Sequence, residues 1–399
     1  MSANAPSTAA RPAPTHMIAL DGVRGLAILL VLFVHFIGDE TPFTAVERAM
    51  VKGANYGVWG VDLFFVLSGF LITGILWDAK GSEGFFRGFY VRRTLRIFPL
   101  YYAVLAVLFL VVPLLSLPTG ALAESASHQG WLWSYTSNFY LASMRTWALP
   151  YVGHFWSLAV EEHFYLVWPF VVWALGSRAL LRVCVGASLF SLALRCILSY
   201  AGAGEVALVA LTPCRLDALC IGGFLAIAVR TWSLPRVAAA ARPYLFVFPL
   251  AVLALSAWHA LTHGAFRDVV LPVRGTLVAL TFGAVIIASV VASPSSPLGV
   301  VFHARWLRFL GKYSYGLYVF HGIIAFFLQE HALIDWMTAR LGSHTAAMIV
   351  QAVLGALVSL GVAIASYELF EKHFLRLKGR FAPPPRAVVV PPTNVPSAG

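Results

Sequence analysis

Charge is scarce in this 399-residue chain: Asp, Glu, Lys and Arg make up 11% of it, against 60% hydrophobic residues. A water-soluble domain needs far more charge to cover its surface, so the composition excludes one and points to a polytopic membrane protein. Cysteine is scarce as well. The four present, Cys184, Cys196, Cys214 and Cys220, fall in or beside apolar runs and form no CxxC pair. That speaks against a disulfide framework or a metal centre and for small buried apolar side chains; no metal site is expected. No repeat recurs at a fixed period. No small-residue cleavage site follows the first apolar run, so that run reads as a retained span.

The chain does hold a series of ten apolar runs, near 17–38, 58–77, 95–117, 154–175, 180–200, 206–229, 243–261, 270–292, 310–330 and 345–368. A span needs about 20 apolar residues, and in lipid it must be helical, because unpaired backbone groups find no partner there. The expected fold is therefore all-α, a bundle of about ten transmembrane helices. The stretch "WLWSYTSNFYLA", 131–142, is too short and polar to span and suits the aromatic interface zone. The Ala/Pro/Ser-rich residues 1–16 read as a disordered tail and the Pro-rich residues 374–399 as a cytoplasmic tail, disordered from about 379, flanking a membrane domain at 17–373.

Basic residues exceed acidic ones by 28 to 17. Such a surplus can mark nucleic-acid binding, but its distribution indicates membrane topology instead. With the N-terminus cytoplasmic, 18 of the 28 fall on cytoplasmic segments, five on outer loops and five in or at the ends of spans. This is the positive-inside pattern. It predicts both termini in the cytoplasm and no nucleic-acid partner.

Ionisable residues inside spans are costly and by default mark a function. In "LDGVRGLAILLVLFVHFIG", Arg24 and His35 are eleven positions apart. Steps of about 100° and 1.5 Å put them within about 20° of one face and about 16 Å apart along it. A fixed cation thus lies toward the cytoplasmic end and a titratable base toward the outer end. Taken singly, Arg24 beside Asp21 also suits a snorkelling arginine and His35 a helix-end residue. In "FYVRRTLRIFPLYY", Arg93 and Arg96 share a face. Two guanidinium forks there suit a phosphate; from the residues alone, topogenic charge is the stronger reading. The span "HFWSLAVEEHFYLVWPF" puts His154, Ser157, Glu161, Tyr165 and Trp168 on one face, with Glu162 on another. One of the two glutamates is expected to orient a catalytic or ligand group, the other to pair with an arginine. Arg215 and Asp217 in "TPCRLDAL", and Tyr318 and His321 in "GKYSYGLYVFHGII", complete the set.

These segments together resemble the membrane acyltransferase 3 family, integral-membrane O-acyltransferases that include O-antigen and other polysaccharide acetylases. The resemblance covers most of 17–373. It rests on "LDGVRGLAILLVLFVHF" with its Arg-x10-His pair, "GVDLFFVLSGFLI", "FYVRRTLRIFPLYY", "HFWSLAVEEHFYLVWP", "CRLDALCIGG" and "GKYSYGLYVFH", in that order. Two positions depart from the family pattern: His163 stands where a Gln is usual, and His373 where a Pro is usual.

The resemblance implies an acyl-CoA co-substrate, acetyl-CoA above all, on the cytoplasmic side, no tightly bound cofactor, and an acceptor hydroxyl on a cell-surface glycan or glycolipid such as lipopolysaccharide at the outer face of a bacterial inner membrane. Arg24, Arg93 and Arg96 are then expected to hold the CoA phosphates. His35 is expected as general base, since an ordinary imidazole accepts a proton at neutral pH, with Glu161 fixing its tautomer. His154, Ser157, Glu162, Arg215, Asp217, Tyr318 and His321 are expected to serve the acceptor or support the network. Direct transfer is preferred, with an acyl intermediate on His35 or Ser157 left open. The competing class is a secondary transporter or exporter with a buried Arg/Glu/His pathway. Such folds often pair two related halves, and no internal symmetry is found here.

Overall fold

A computed structural model describes residues 17–116, 120–262 and 266–381. The expected tails lie outside them, save 374–381. All regular structure among the described residues is helical. The ten apolar runs centre on or enter these helices: α1 Ile18–Phe33, α3 Trp59–Ala79, α4 Phe85–Ala106, α5 Trp156–Ala174, α6 Ser177–Tyr200, α7 Leu216–Thr231, α8 Tyr244–Leu261, α9 Arg267–Val291, α10 Arg305–Glu330 and α11 His344–Ser366. The run 206–229 is broken, because a short helix, Glu205–Ala210, and a 3-10 turn, Thr212–Arg215, precede α7. Between α1 and α3 lies a shorter helix, α2 Ala45–Asn55.

By length and apolarity, eight helical segments among the described residues suffice to cross a membrane, and a ninth counts if α10 is joined to Leu333–Leu341 across a 65° bend. The expected ten are thus eight or nine. α5 is not among them, because Glu161, Glu162 and His163 sit in its middle. The stretch 131–142 forms two short helices, Gly130–Trp133 and Ser137–Met144. At the other end the helical chain runs past 373: Lys372–Leu377 is followed by a 3-10 turn, Lys378–Phe381, whose last carbonyl accepts a bond from Arg92 Nη1 at 3.1 Å.

Backbone-to-backbone packing sets the frame. A Cβ at Gly69 of α3 would collide with the Leu219 carbonyl of α7, and one at Gly222 of α7 with the Val66 carbonyl of α3. The same reciprocity joins α1 to α10, where a Cβ at Gly25 would strike Leu307 O and one at Gly311 would strike Asp21 O. In lipid, apolar side chains gain little by leaving one apolar medium for another, so helices associate through close contacts of this kind. The result fixes α1, α3, α7 and α10 as a rigid centre, while α8 buries little beyond Val252.

Two buried ion pairs reinforce this frame, one inside the centre and one to its neighbours. Arg215 reaches Asp62 of α3. Asp217 of α7 receives Arg195 Nη2 of α6 at 2.5 Å and Thr276 Oγ1 of α9 at 2.9 Å. The partner expected for Arg215 is a glutamate of α5; its carboxylate is instead Asp62. Arg215 and Asp217 therefore hold helices together and do not line the arginine-bearing cavity between α1, α4 and α5.

Candidate active site

A cavity of about 100 Å³ opens between α1, α3, α4, α5 and α10, room for about three waters. Arg24, Arg93 and Arg96 line it together with Ser68, Ser157, Glu161, Tyr165 and Tyr318. Sequence spacing puts the first three on two separate helices; the fold brings them to one space. Arg24 Nη1 bonds Asp21 Oδ1 at 2.8 Å, and the Arg93 guanidinium lies over the Tyr165 ring at 4.6 Å. Among the described residues, neither Arg93 nor Arg96 has a carboxylate within ion-pairing distance. Three cations facing one small space, two of them without an acid against them, make a site for an anion.

Glu161 accepts a hydrogen bond from Ser68 Oγ of α3, and Tyr165 Oη donates to the same Ser68 at 3.1 Å. It therefore stands on the arginine side, and no contact joins it to His35. Glu162, one step of about 100° further around α5, is turned out of the cavity. Its Oε1 is buried without a hydrogen-bond partner among the described residues, and the expected arginine partner is absent there. Trp168, placed on the Glu161 face by spacing, donates instead to Thr73 Oγ1 at 2.8 Å. His163 bonds Thr212 Oγ1 at 2.7 Å, a link between α5 and the turn before α7.

Above the cavity the polar groups continue as a row. Ser157 Oγ lies 2.5 Å from Tyr318 Oη, and Tyr318 Oη donates to the His154 carbonyl at 2.9 Å. Ser157 Oγ also reaches the His154 carbonyl, at 3.4 Å. The His321 ring centre is 5.3 Å from that of Tyr318, 5.0 Å from that of His154 and 5.0 Å from that of His35. His321 is wholly buried. Its Nδ1 faces the carbonyls of Tyr318 and Leu317 at 2.7 and 3.1 Å, so it carries the proton, and Nε2 has no partner among the described residues.

His35 ends the row and does not line the cavity. It stands in a π-helical turn, Val34–Gly38, closed by Asp39 N to Val34 O at 3.0 Å. Such turns interrupt α-helices frequently at functional sites. This one sets Asp39 Oδ2 3.0 Å from His35 Nδ1. A carboxylate only accepts, so the bond puts the proton on Nδ1 and leaves Nε2 basic. The partner expected for His35 is Glu161; the carboxylate against it is Asp39. Sequence reasoning passes over Asp39, although a His and an Asp four apart at a helix end are themselves a signal. It also passes over Ser68, which no ionisable group on its own face marks out.

An anion site of arginines at one end, an imidazole held by a carboxylate at the other, and hydroxyls and imidazoles between them suit transfer of a group from a charged carrier. The sequence agrees: the acyltransferase domain family matches residues 17–368, and the protein belongs to that family. The chain is 32% identical over 326 residues to the putative peptidoglycan O-acetyltransferase YrhL of Bacillus subtilis, covering 76% of this chain and 47% of the relative. It is 30% identical over 324 residues to the peptidoglycan O-acetyltransferase OatA of Listeria monocytogenes, 76% of this chain and 48% of that one. With the O-acetyltransferase OatA of Staphylococcus aureus the identity is 26% over 340 residues, 80% and 52% of the two chains. The chain thus spans about half the length of the curated relatives it matches. No solved structure matches it.

Proposed function

We propose that this protein moves an acyl group, acetyl in the first instance, from acyl-CoA to a sugar hydroxyl of a cell-envelope glycan. The observation that supports it most is the row of polar side chains running from the arginine-lined cavity through Ser157, Tyr318 and His321 to His35. On this reading Arg24, Arg93 and Arg96 hold the CoA phosphates in the cytoplasmic half of an inner membrane, with both chain termini on that side. The slender pantetheine arm follows the cavity toward His35.

The chemistry turns on one proton. His35 Nε2 takes the proton of the acceptor hydroxyl as that oxygen attacks the thioester carbonyl. The C–S bond breaks, and the CoA thiolate leaves with the proton returned by the imidazolium. Asp39, on the far nitrogen, fixes the tautomer and stabilises the imidazolium. His321 supports the His35 ring and offers its bare Nε2 as an acceptor. Glu161 orders Ser68, and through it Tyr165. Ser157 is poorly set as a nucleophile because no imidazole accepts its proton, which favours direct transfer over an acyl-serine.

Among acceptors, the names of the relatives favour peptidoglycan over lipopolysaccharide or O-antigen. The decisive experiment is acetyl transfer by the purified full chain from labelled acetyl-CoA to peptidoglycan fragments, followed by mass spectrometry. Transfer by the wild type and its loss in His35→Ala support the reading; full transfer by His35→Ala overturns it.

A further inference from the structure

A second cleft lies apart from the row that joins Ser157 to His35. It has a volume of about 510 Å³ and is formed by α2, the turn after it, the start of α3, and α9. Three cations face it, Arg48, Lys52 and Arg274, and no acid lines it. Arg48 bonds only the Phe43 carbonyl, at 3.3 Å, and among the described residues none of the three has a carboxylate within ion-pairing distance. Arg274 carries the most weight. It stands seven residues into α9, about 10 Å from the helix start, where an unpaired cation is costly and marks a function. Beside the cations, Tyr56 and Trp59 form an aromatic pair with ring centres 4.9 Å apart. Asn55, the last residue of α2, lies against Gly38, the last residue of the turn that carries His35.

We propose that this cleft binds the acceptor, and that the acceptor is an anionic sugar: aromatic faces for the ring, guanidinium and ammonium groups for the charge. The proposal rests on the acyltransferase reading for the word acceptor, but not for the binding itself. Its place fits a division of labour. The first arginine group lies at the Arg24 end of α1, and this second cationic group lies at the His35 end. The negative charge is either a carboxylate on the sugar or a phosphate on its anomeric carbon, and the same cations suit both.

The test is equilibrium binding to the full chain in uncharged-lipid nanodiscs, with chitotetraose as the neutral probe, tetragalacturonate as the carboxylate probe and N-acetylglucosamine 1-phosphate as the phosphate probe. At least one anionic probe is expected to bind roughly tenfold tighter than the neutral one, and which one does so identifies the charge. The triple variant Arg48→Gln, Lys52→Gln, Arg274→Gln is expected to lose that preference while still binding acetyl-CoA, which reports that it has folded; Trp59→Ala is expected to weaken every sugar. The proposal is overturned if charged and neutral probes bind alike, or if the triple variant keeps the preference. It is also overturned if phosphatidylglycerol in the nanodisc displaces the sugars, which makes the cleft a lipid headgroup site. A chain that binds the anionic sugar but transfers no acyl group would sink the acyltransferase reading and leave the cleft standing.

Discussion

Asp39 Oδ2 lies 3.0 Å from His35 Nδ1, four residues on and across a π turn. If this contact directs the imidazole, Asp39→Asn lowers kcat for acyl transfer by at least about tenfold. The loss stays below the roughly 10⁴ of fully buried pairs, since the side chains are 35% and 43% exposed. KM for acetyl-CoA is unchanged. A variant with wild-type kcat shows that the contact is structural.

Arg93 and Arg96 give a different signature. Each charge-assisted bond to a phosphate contributes about 1.5–3 kcal/mol, so Arg93→Gln or Arg96→Gln raises KM for acetyl-CoA by roughly tenfold to a hundredfold. Measured by equilibrium binding of CoA, the loss persists in a His35→Ala background, where no chemistry occurs. CoA affinity equal to the wild type in both arginine variants refutes a phosphate site in this cavity.

Asp217→Ala tests packing and not chemistry. It strands Arg195, which is 4% exposed and bonded at 2.5 Å, and breaking a buried pair from one side costs about 3–5 kcal/mol. The thermal unfolding midpoint in detergent drops markedly, and replacing Arg195 with Met in the same chain recovers part of the loss. An unchanged midpoint in the single variant means that water reaches the pair.

Gly69→Leu separates α3 from α7. The new side chain has no room against the Leu219 carbonyl, and overpacking costs about 1–3 kcal/mol or more. Yield of folded protein by size-exclusion chromatography falls, whereas Gly186→Leu, at a glycine with open space around it, leaves it unchanged.

Much of this architecture is legible in the sequence. Apolar runs long enough to span become helices whatever packs beside them, so among the described residues the ten runs are mainly helical, with 206–229 broken before Leu216. Arg93 and Arg96 share a face because three residues make nearly one turn, and Ser157 and Glu161 line one cavity for a similar reason. Partnership between distant segments is not legible. Nothing local says that Arg215 will meet Asp62 or that Asp217 will meet Arg195; those pairings depend on helix order. The Glu161–His35 pairing fails on geometry: a regular helix cannot foretell a five-residue turn, and that turn supplies His35 with a carboxylate from its own segment.

The wide turn at Val34–Gly38 also has a mechanical consequence. It holds one residue more than a regular coil over the same rise, so deleting a residue between His35 and Asp39 would close it to a regular coil and change their spacing from four positions to three. The imidazole and its carboxylate keep their present reach through that single extra residue.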